Sequence, residues 1–566
     1  MIKTYQNPVY DYFPAPELGM SAPLHHPVII IGAGPCGMAA ALDFAAQGIP
    51  TLVLDDNNTV SVGSRAICFS KRTLEIMDRY GCADPMVDKG VTWQTGKVYF
   101  RDELLYEFNL LPESGHKMPA FINLQQYYFE EYMVNRCKEL SEFIDLRWLH
   151  KVIHVETSDS GNVITVDTQD GSYQLQCDYL LVADGANSPI RSQLGLESKG
   201  QVFEDHFLIA DMVIKTDMPA ERRFWFDPHF HPNQSVLLHK QADNVWRIDF
   251  QLGWNSNKEE AVKEENIIPR VRAMFGDDIE FKLEWASVYT FQCRKMDDFI
   301  HHRTIFIGDA AHQVSPFGAR GANGGIQSVE NLAWKIVRIL RGEASAGLLE
   351  TYNTERQHGA AENILNSTRS TDFITPKSHV SKVFRNETLK LAKVYPFARA
   401  LINSGRLSVP CQNLDSPLIT VDQDDFFQGL TPGTMSRDAP LTINGEETWL
   451  LNQLGNRFVC LIDDRNEALS SEALQALSGD TDLMLLVIAR DATHAQQLAD
   501  ADNCRVALDN SGTLTERYDL QPGTTYLFRP DQMVAARWRT LSSKQVHAAR
   551  QRALGFELGF ELNNID

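Results

Sequence analysis

Hydrophobic periodicity changes twice between residues 27 and 55. Val28 to Ile31 is an unbroken β-branched run, the pattern of a strand covered on both faces in a parallel sheet. Helical spacing follows through Met38, Leu42, Ala45 and Ala46, Gly48 is placed to end the helix, and Thr51 to Leu54 forms the next strand with Asp55 at its tip. The pattern predicts a βαβ unit. The buried-strand pattern returns at Tyr179 to Ala183 and in the segment from Arg303, and these runs lead into Asp184-Gly185 and Gly308-Asp309.

Elsewhere the period is different. Residues 146 to 183 alternate in strand fashion around an Asp170-Gly171 turn. From 200 to 290 longer, aromatic-rich alternating stretches predict an antiparallel sheet, in which Trp246, Ile248 and Phe250 share one face and Arg247, Asp249 and Gln251 the other. Helices are expected from Lys71 to Tyr80, from Gln125-Gln126 through Leu140, and from Ile326 to Gly342, with helical segments continuing to 405. A further α/β module starts near 440, with strands at Phe458 to Asp463 and Asp482 to Arg490 and a late Thr524 to Trp538 stretch, an order of elements resembling thioredoxin. The first 26 residues hold Pro8, Pro14, Pro16 and Pro23 and read as an extended arm, with Tyr5, Tyr10, Tyr12 and Phe13 as candidate anchors. The predicted class is therefore α/β. It comprises an extension at 1–26, a doubly wound, Rossmann-like nucleotide domain in two parts at 27–200 and 291–405, an antiparallel-sheet substrate domain at 201–290, a linker at 406–440 and a C-terminal thioredoxin-like domain at 441–566.

Charge and cysteine usage narrow the partners. With 53 basic against 74 acidic residues the net charge is −21, which argues against nucleic acid or an anionic membrane as the main partner. The nine cysteines are scattered without a CxxC pair, a pattern of reduced thiols in a cytoplasmic protein with neither a disulfide framework nor a metal site. Cys460 and Cys504 stand far apart in the C-terminal module, which argues against dithiol chemistry there and leaves a packing or oligomerisation role. His229, His231 and His239 show no metal-ligand spacing. The apolar stretch near the N-terminus contains Asp43 and Gln47 and is accounted for as strand and helix, neither a signal peptide nor a membrane span.

Three loops carry candidate chemistry. In Gly32-Ala33-Gly34-Pro35-Cys36-Gly37, Gly32 permits the tight turn, Gly34 admits a pyrophosphate to the helix N-terminus, and Gly37 allows close helix-to-strand packing. Asp55 is spaced to accept from a ribose, so the unit binds a dinucleotide, FAD or NAD. Asp184-Gly185, with Ser188 and Arg191 after it, can present a carboxylate and bare amides to a cofactor. After Gly308-Asp309 comes Pro316-Phe317-Gly318-Ala319-Arg320-Gly321-Ala322-Asn323-Gly324-Gly325, a bed of amides at a helix start carrying about +0.5 charge, suited to an anionic ring edge. Arg65 reaches the nucleotide site if its loop folds back; read alone, it is a surface arginine.

Taken in order, GAGPCG, DGANSPIR and GDAAHQVSPFGARGANGG followed by NLAWK resemble the class A FAD-dependent aromatic monooxygenases. The likeness is to the phenol-hydroxylase-like branch, which includes 3-(3-hydroxyphenyl)propionate hydroxylase and carries a C-terminal thioredoxin-like domain, and it covers nearly all of residues 27 to 540. The resemblance implies FAD contacts from Gly32, Gly34 and Gly37, from Asp55 where the family usually has glutamate, from Arg65, and from Gln126 or its neighbour Gln125. It implies that Asp184 and Gly185 serve both FAD and the nicotinamide nucleotide, that Asp309 holds the ribityl chain, and that Pro316 with Gly321, Ala322, Asn323 and Gly324 lies beside the isoalloxazine ring.

The implied reaction uses NADH or NADPH and O2 to hydroxylate a phenolic or aromatic small molecule through a flavin C4a-hydroperoxide, with the protein positioning and shielding. An FAD-dependent dehydrogenase or reductase of the same fold is the alternative, and a non-enzymatic flavin carrier a more distant one. The substrate cavity is expected between the 200–290 sheet and the Pro316 to Gly325 loop. Phe226, Trp246, Ile248 and Phe250 are its expected lining and His239 its expected phenol partner, against an ordinary sheet core as the competing reading. The sequence names neither the aromatic substrate nor the oligomer, a homodimer being held open.

Overall fold

A computed structural model describes residues 3–253, 256–402, 407–467, 469, 471–498 and 503–556. Trp254, at the end of the aromatic-rich run, residue 406 at the start of the expected linker and residues 557–566 lie outside the described residues. The chain enters through β1 (Leu24–Ile31), α1 (Pro35–Ala46) and β2 (Thr51–Asp55), and continues through β3 (Cys68–Ser70), α2 (Lys71–Arg79), α3 (Gln126–Glu139), β4 (Ile144–Trp148) and β5 (Gly171–Val182). In the nucleotide-domain sheet β4, β2, β1 and β5 lie side by side and parallel, and Ile29 of β1 sits between Leu52 and Leu180. Val28, Ile29 and Ile30 are fully buried in a core shared with α1 and with Val152, Val155, Ile164 and Val166 of the antiparallel strands that run into β5, which is why the run carries no polar alternation.

A second eight-stranded sheet holds β6 (Ser198–Ile214), β7 (Arg222–Phe226), β8 (Ser235–Lys240), β9 (Val245–Leu252) and, after α4 (Glu264–Phe275), β10 (Phe281–Met296), in the order β10-β6-β9-β8-β7. A hairpin formed by Thr95–Phe100 and Glu103–Asn109 extends this sheet beyond β7, with Phe224 opposite Val98 in parallel register. That hairpin comes from the stretch read as nucleotide domain. Parallel pairing between segments so distant in sequence leaves no trace in local periodicity.

The chain then returns to the first sheet through β11 (Thr304–Phe306), parallel to β5, and continues into α5 (Gly321–Leu340) and α6 (Leu348–Ile374). The C-terminal module has a five-stranded sheet built from β12 (Phe458–Asp463), β13 (Leu483–Ile488), β14 (Cys504–Ala507), β15 (Thr525–Phe528) and β16 (Val534–Trp538), closed by α7 (Ser543–Ala553). Its order is β14-β13-β12-β15-β16, the first three strands parallel and the last two antiparallel.

Buried ions lock the module to the nucleotide domain. Arg72 of α2 donates to Glu330 of α5 (2.6 Å) and to Gln532 (2.8 Å), and Arg529 of the module donates to Glu355 of α6 (2.7 Å), which also takes Lys335 at 3.0 Å. The N-terminal arm lies along the nucleotide domain. Tyr5 stacks on Tyr127 with centroids 4.1 Å apart, Tyr10 on Trp148 at 4.6 Å, and Glu17 pairs with Arg147 at 2.8 Å, while Phe13 stays exposed. Among the described residues no helix is long and apolar enough to cross a membrane.

Candidate active site

Three strand ends meet at one cleft. Past β1 the chain turns at Gly32 with φ +102°, so close to β5 that a Cβ would stand 2.5 Å from the Ala183 carbonyl oxygen. A Cβ on Gly37 would stand 1.9 Å from the Gly32 oxygen, so the seating of α1 on the turn requires glycine. Around Gly34 the space is open, and α1 starts there with no side-chain cap, leaving first-turn amides for an anion. Asp55 accepts from the Ala33 amide at 2.6 Å and the Asn57 amide at 2.8 Å, so it braces the turn with one lone pair of each oxygen. Burial raises its pKa and these amides oppose the rise.

At the end of β5, Asp184 accepts from the Ile190 amide (3.3 Å) through one oxygen, and its other oxygen, Oδ1, is buried without a partner. Gly185 follows at φ +83° with open space beside it. Arg191 donates to the carbonyls of Ala186 (2.8 Å) and Ala310 (2.7 Å), tying this loop to the one after β11. There Asp309, in the turn between two buried residues, Gly308 and Ala310, is itself exposed and makes no side-chain hydrogen bond among the described residues. The surrounding protein pushes its carboxyl up to about 6, with Arg65 pulling the other way.

The Arg65 loop folds over the cleft. Arg65 adopts φ +41°, uncommon for a residue with a side chain, and its carbonyl takes a 2.6 Å hydrogen bond from Arg247 of β9. Gln126 accepts from the Ala66 amide at 3.1 Å and donates to Glu130 at 2.7 Å, whereas Gln125 is buried and donates to the Ala242 carbonyl at 3.3 Å. Of the two glutamines, Gln126 stands against the Arg65 loop.

Pro316 is exposed, and Phe317 is buried against Phe207 and Phe291, with centroids 5.0 and 5.2 Å away. Helix α5 starts at Gly321 without a side-chain cap, so the amides of Gly321, Ala322 and Asn323 lack intrahelical acceptors. The Asn323 side chain is fully engaged. It accepts from the Ser70 amide (2.9 Å) and the Thr73 hydroxyl (2.6 Å), and it donates to the carbonyls of Cys68 (2.9 Å) and Ala319 (2.7 Å). Only its backbone amide remains for a ligand.

The structure corrects the expected cavity lining. Trp246, Ile248 and Phe250 lie on the sheet face that packs against Ile267 and Val271 of α4, in a different cluster from Phe317 of the glycine-rich loop. Phe226 is on the loop side with Phe224, Leu237 and Phe317. The polar partners of the alternation, Arg247 and Asp249, share that side, paired with one another at 2.8 Å and reaching the Arg65 loop. Every residue of β9 is buried, so apolarity did not identify the face that looks toward the cleft.

His239 is also on the loop side. It is buried, 3.4 Å from an Arg222 nitrogen through Nε2 and 3.9 Å from Cys68 Sγ through Nδ1. Burial, then Arg222 and Arg247, hold its pKa well below the ordinary histidine range, so the ring is neutral. Arginine only donates, so Nε2 accepts and the ring proton sits on Nδ1.

Two residues near the cleft were not singled out from sequence. Arg222 lines the aromatic cavity, and alternation from Phe224 and Phe226 along RRFWF was the signal that placed it there. Tyr289 of β10 is half exposed and close enough to Asp309 and Arg65 for their charges to act on its hydroxyl, whose pKa burial raises; no sequence pattern marked it. A separate cleft of about 280 Å³ between α2 and the C-terminal module, lined by Asp78, Arg79, Lys117, Asn452 and Arg505, shares no residue with the glycine motifs.

Open space at Gly34, the orphaned Asp184 oxygen, the unpartnered Asp309 carboxylate and two uncapped helix starts fit a pyrophosphate, a polyol chain and an anionic ring edge in one molecule. This is the donor and acceptor set of FAD. Residues 25–367 match the FAD binding domain family, and the chain belongs to it.

Among its relatives is a probable NADH-specific resorcinol 4-hydroxylase of Rhodococcus jostii, 28% identical over 337 residues, a match that spans 58% of this chain and 62% of that one. The 3-(3-hydroxy-phenyl)propionate/3-hydroxycinnamic acid hydroxylase of Burkholderia cenocepacia is 25% identical over 93% of this chain and 97% of its own. Among solved structures, the flavin-dependent monooxygenase PieE in complex with FAD and substrate superposes with a TM-score of 0.77 at 20% identity, covering 94% of this chain and 100% of that one. Aklavinone-11 hydroxylase with FAD and aklavinone gives 0.73 at 18% identity, covering 94% and 99%.

Proposed function

We propose that this protein is a flavin-dependent monooxygenase that hydroxylates a phenolic or aromatic small molecule with NADH or NADPH and O2. The observation that carries the reading is the junction of the two sheets. There the loop that leads from Asp309, whose carboxylate makes no side-chain hydrogen bond among the described residues, to the uncapped start of α5 buries its Phe317 in one apolar cluster with Phe224 and Phe226 of the second sheet. Relatives named for hydroxylation of resorcinol and of 3-hydroxyphenylpropionate support it.

Bound FAD supplies storage of two electrons and reaction with O2. In this reading Gly32, Gly34 and Gly37 seat the pyrophosphate, Asp55 and Asp184 take ribose and amide contacts, and Asp309 accepts from the ribityl chain. The amides of Gly321 to Asn323 favour negative charge on the ring edge. Arg65 holds phosphate oxygens. Pro316 and the wall of Phe226 and Phe317 exclude water, and neutral His239 orients the Arg222 side chain. Cys36 packs between Gly308 and Gly325, and burial first, then Asp309, pushes its thiol up to about 12, so it forms no covalent tether. The C-terminal module, of thioredoxin-like order, serves packing.

The overall balance is NAD(P)H, a proton, O2 and the aromatic compound giving NAD(P)+, water and the hydroxylated ring. The purified protein is expected to be yellow, to release its FAD on acid denaturation, and to convert a phenol to a product carrying one oxygen atom from labelled O2. Oxidation of NAD(P)H matched by a reduced, unoxygenated product assigns it instead to the reductases of this fold.

A further inference from the structure

The N-terminal arm crosses the loop that leads from β2 to Arg65 and ties it residue by residue. The Tyr10 amide donates to the Asn58 carbonyl (2.8 Å), the Thr59 hydroxyl donates to the Pro8 carbonyl (2.6 Å), and the Asn7 side-chain amide donates to the carbonyls of Val60 (3.3 Å) and Ser61 (3.0 Å). Four successive loop residues are held in this way. Among the described residues the body of the protein meets the polar groups of the same four at one point, where the Ser61 amide donates to Glu130 of α3 (2.5 Å).

The arm is itself anchored on both sides of the loop. Thr4 donates through its amide (2.9 Å) and its hydroxyl to Glu284 of β10, next to Trp285, whose ring lies so close to the loop that a Cβ on Gly63 would stand 2.4 Å from it. Tyr5 donates to Glu131 of α3 (3.0 Å) while stacked on Tyr127, and Tyr10 stacks on Trp148 at the end of β4. Residues 4–10 form neither helix nor strand, and of their side chains Tyr10 alone is buried, so this stretch opens locally at less cost than the sheets beneath it. Past Gly63 the loop carries Arg65, whose charge acts on the Asp309 carboxyl in the cleft. We propose that residues 4–10 are a clasp that shuts the Arg65 loop over bound FAD and sets the rate at which the flavin leaves, with Asn7 as its positioning residue. The proposal rests on FAD lying beneath this loop. A clasp that favours bound FAD is favoured by FAD to the same degree, since the coupling of two binding equilibria is reciprocal.

The test dilutes the holoenzyme into a phosphodiesterase that cuts only free FAD, so that the rise in flavin fluorescence reads the release rate without rebinding. Asn7→Ala should release FAD faster by about three- to tenfold, the loss of one side chain's hydrogen bonds, while its apoprotein melts like the wild type. Tyr12→Phe is the control. It removes the arm's bonds to Thr168 (3.2 Å) and Asp170 (2.9 Å), beyond the clasp, and should leave release unchanged. Hydrogen exchange over residues 4–10 should be slower in the holoenzyme than in the apoprotein, and the difference should shrink in Asn7→Ala.

Release at the wild-type rate in Asn7→Ala, equal acceleration by Tyr12→Phe, or arm exchange that is indifferent to FAD would each overturn the proposal. Faster release in Asn7→Ala with none in Arg65→Ala keeps the clasp and removes Arg65 from the cofactor contacts.

Discussion

Gly34 and Gly37 stand three positions apart and separate binding from folding. Gly34→Ala adds its methyl to open space at a φ of −76°, so the apoprotein should melt unchanged while FAD affinity falls by about tenfold or more, read by flavin fluorescence titration. Gly37→Ala drives its methyl to 1.9 Å from a carbonyl, so the apoprotein itself should be destabilised in thermal melts. Asp309 yields a sharper test through pH. Its carboxyl is raised to about 6 in the folded state from 3.8, so the folded state holds this proton more tightly than the unfolded chain. The associated stability is present below pH 3.8 and lost as pH rises through 6. Asp309→Asn should therefore melt higher than wild type as an apoprotein above pH 6 and alike below pH 3.8, yet retain FAD poorly, whereas Cys460→Ser, in a strand without a dithiol, should leave turnover nearly intact. Neutral His239 should contribute no ionisation to the pH profile between 5 and 9, a range roughly spanning the ordinary histidine pKa.

At the scale of elements, a side chain read as a cofactor contact turns out to join two of them. Asn323 in the first turn of α5 holds β3 and the start of α2 through Ser70, Thr73 and Cys68. Asn323→Ala leaves the buried Ser70 amide and the Cys68 carbonyl without these partners, and about 2–4 kcal/mol of stability should be lost in denaturant unfolding. Glycine spacing placed Asn323 at the helix start but gave no sign of this second duty, because its partners lie some 250 residues earlier. The βαβ unit, by contrast, was legible in full, since strand, turn and helix each obey a local period. The aromatic-rich sheet was legible as a sheet but not as to which face meets the cleft. Arg247 and Asp249 pair with one another, so a buried polar face passes for a solvent face in the sequence.

Across the whole molecule, Glu355 is the hinge of stability. Burial pushes its carboxyl up, and Arg529 and Lys335 more than reverse this, leaving it well below the usual glutamate value of 4.5. A depressed carboxyl contributes stability that is complete above pH 4.5 and is lost as pH falls through the folded value. Acid unfolding should start below pH 4.5, and Glu355→Gln should flatten that limb. Glu355→Ala, which leaves Arg529 and Lys335 short of an acid, should cost about 3–5 kcal/mol, with the nucleotide domain and the C-terminal module melting together in calorimetry. The 174 residues that separate Glu355 from Arg529 set a schedule during synthesis. While the ribosome is still making the module, Glu355 has been translated without Arg529, and Arg72 has no Gln532, which is translated 460 residues later. Nascent chains halted before residue 529 should stay bound to chaperones and protease-sensitive, so the step that finishes the flavin domain is the emergence of β15 and β16.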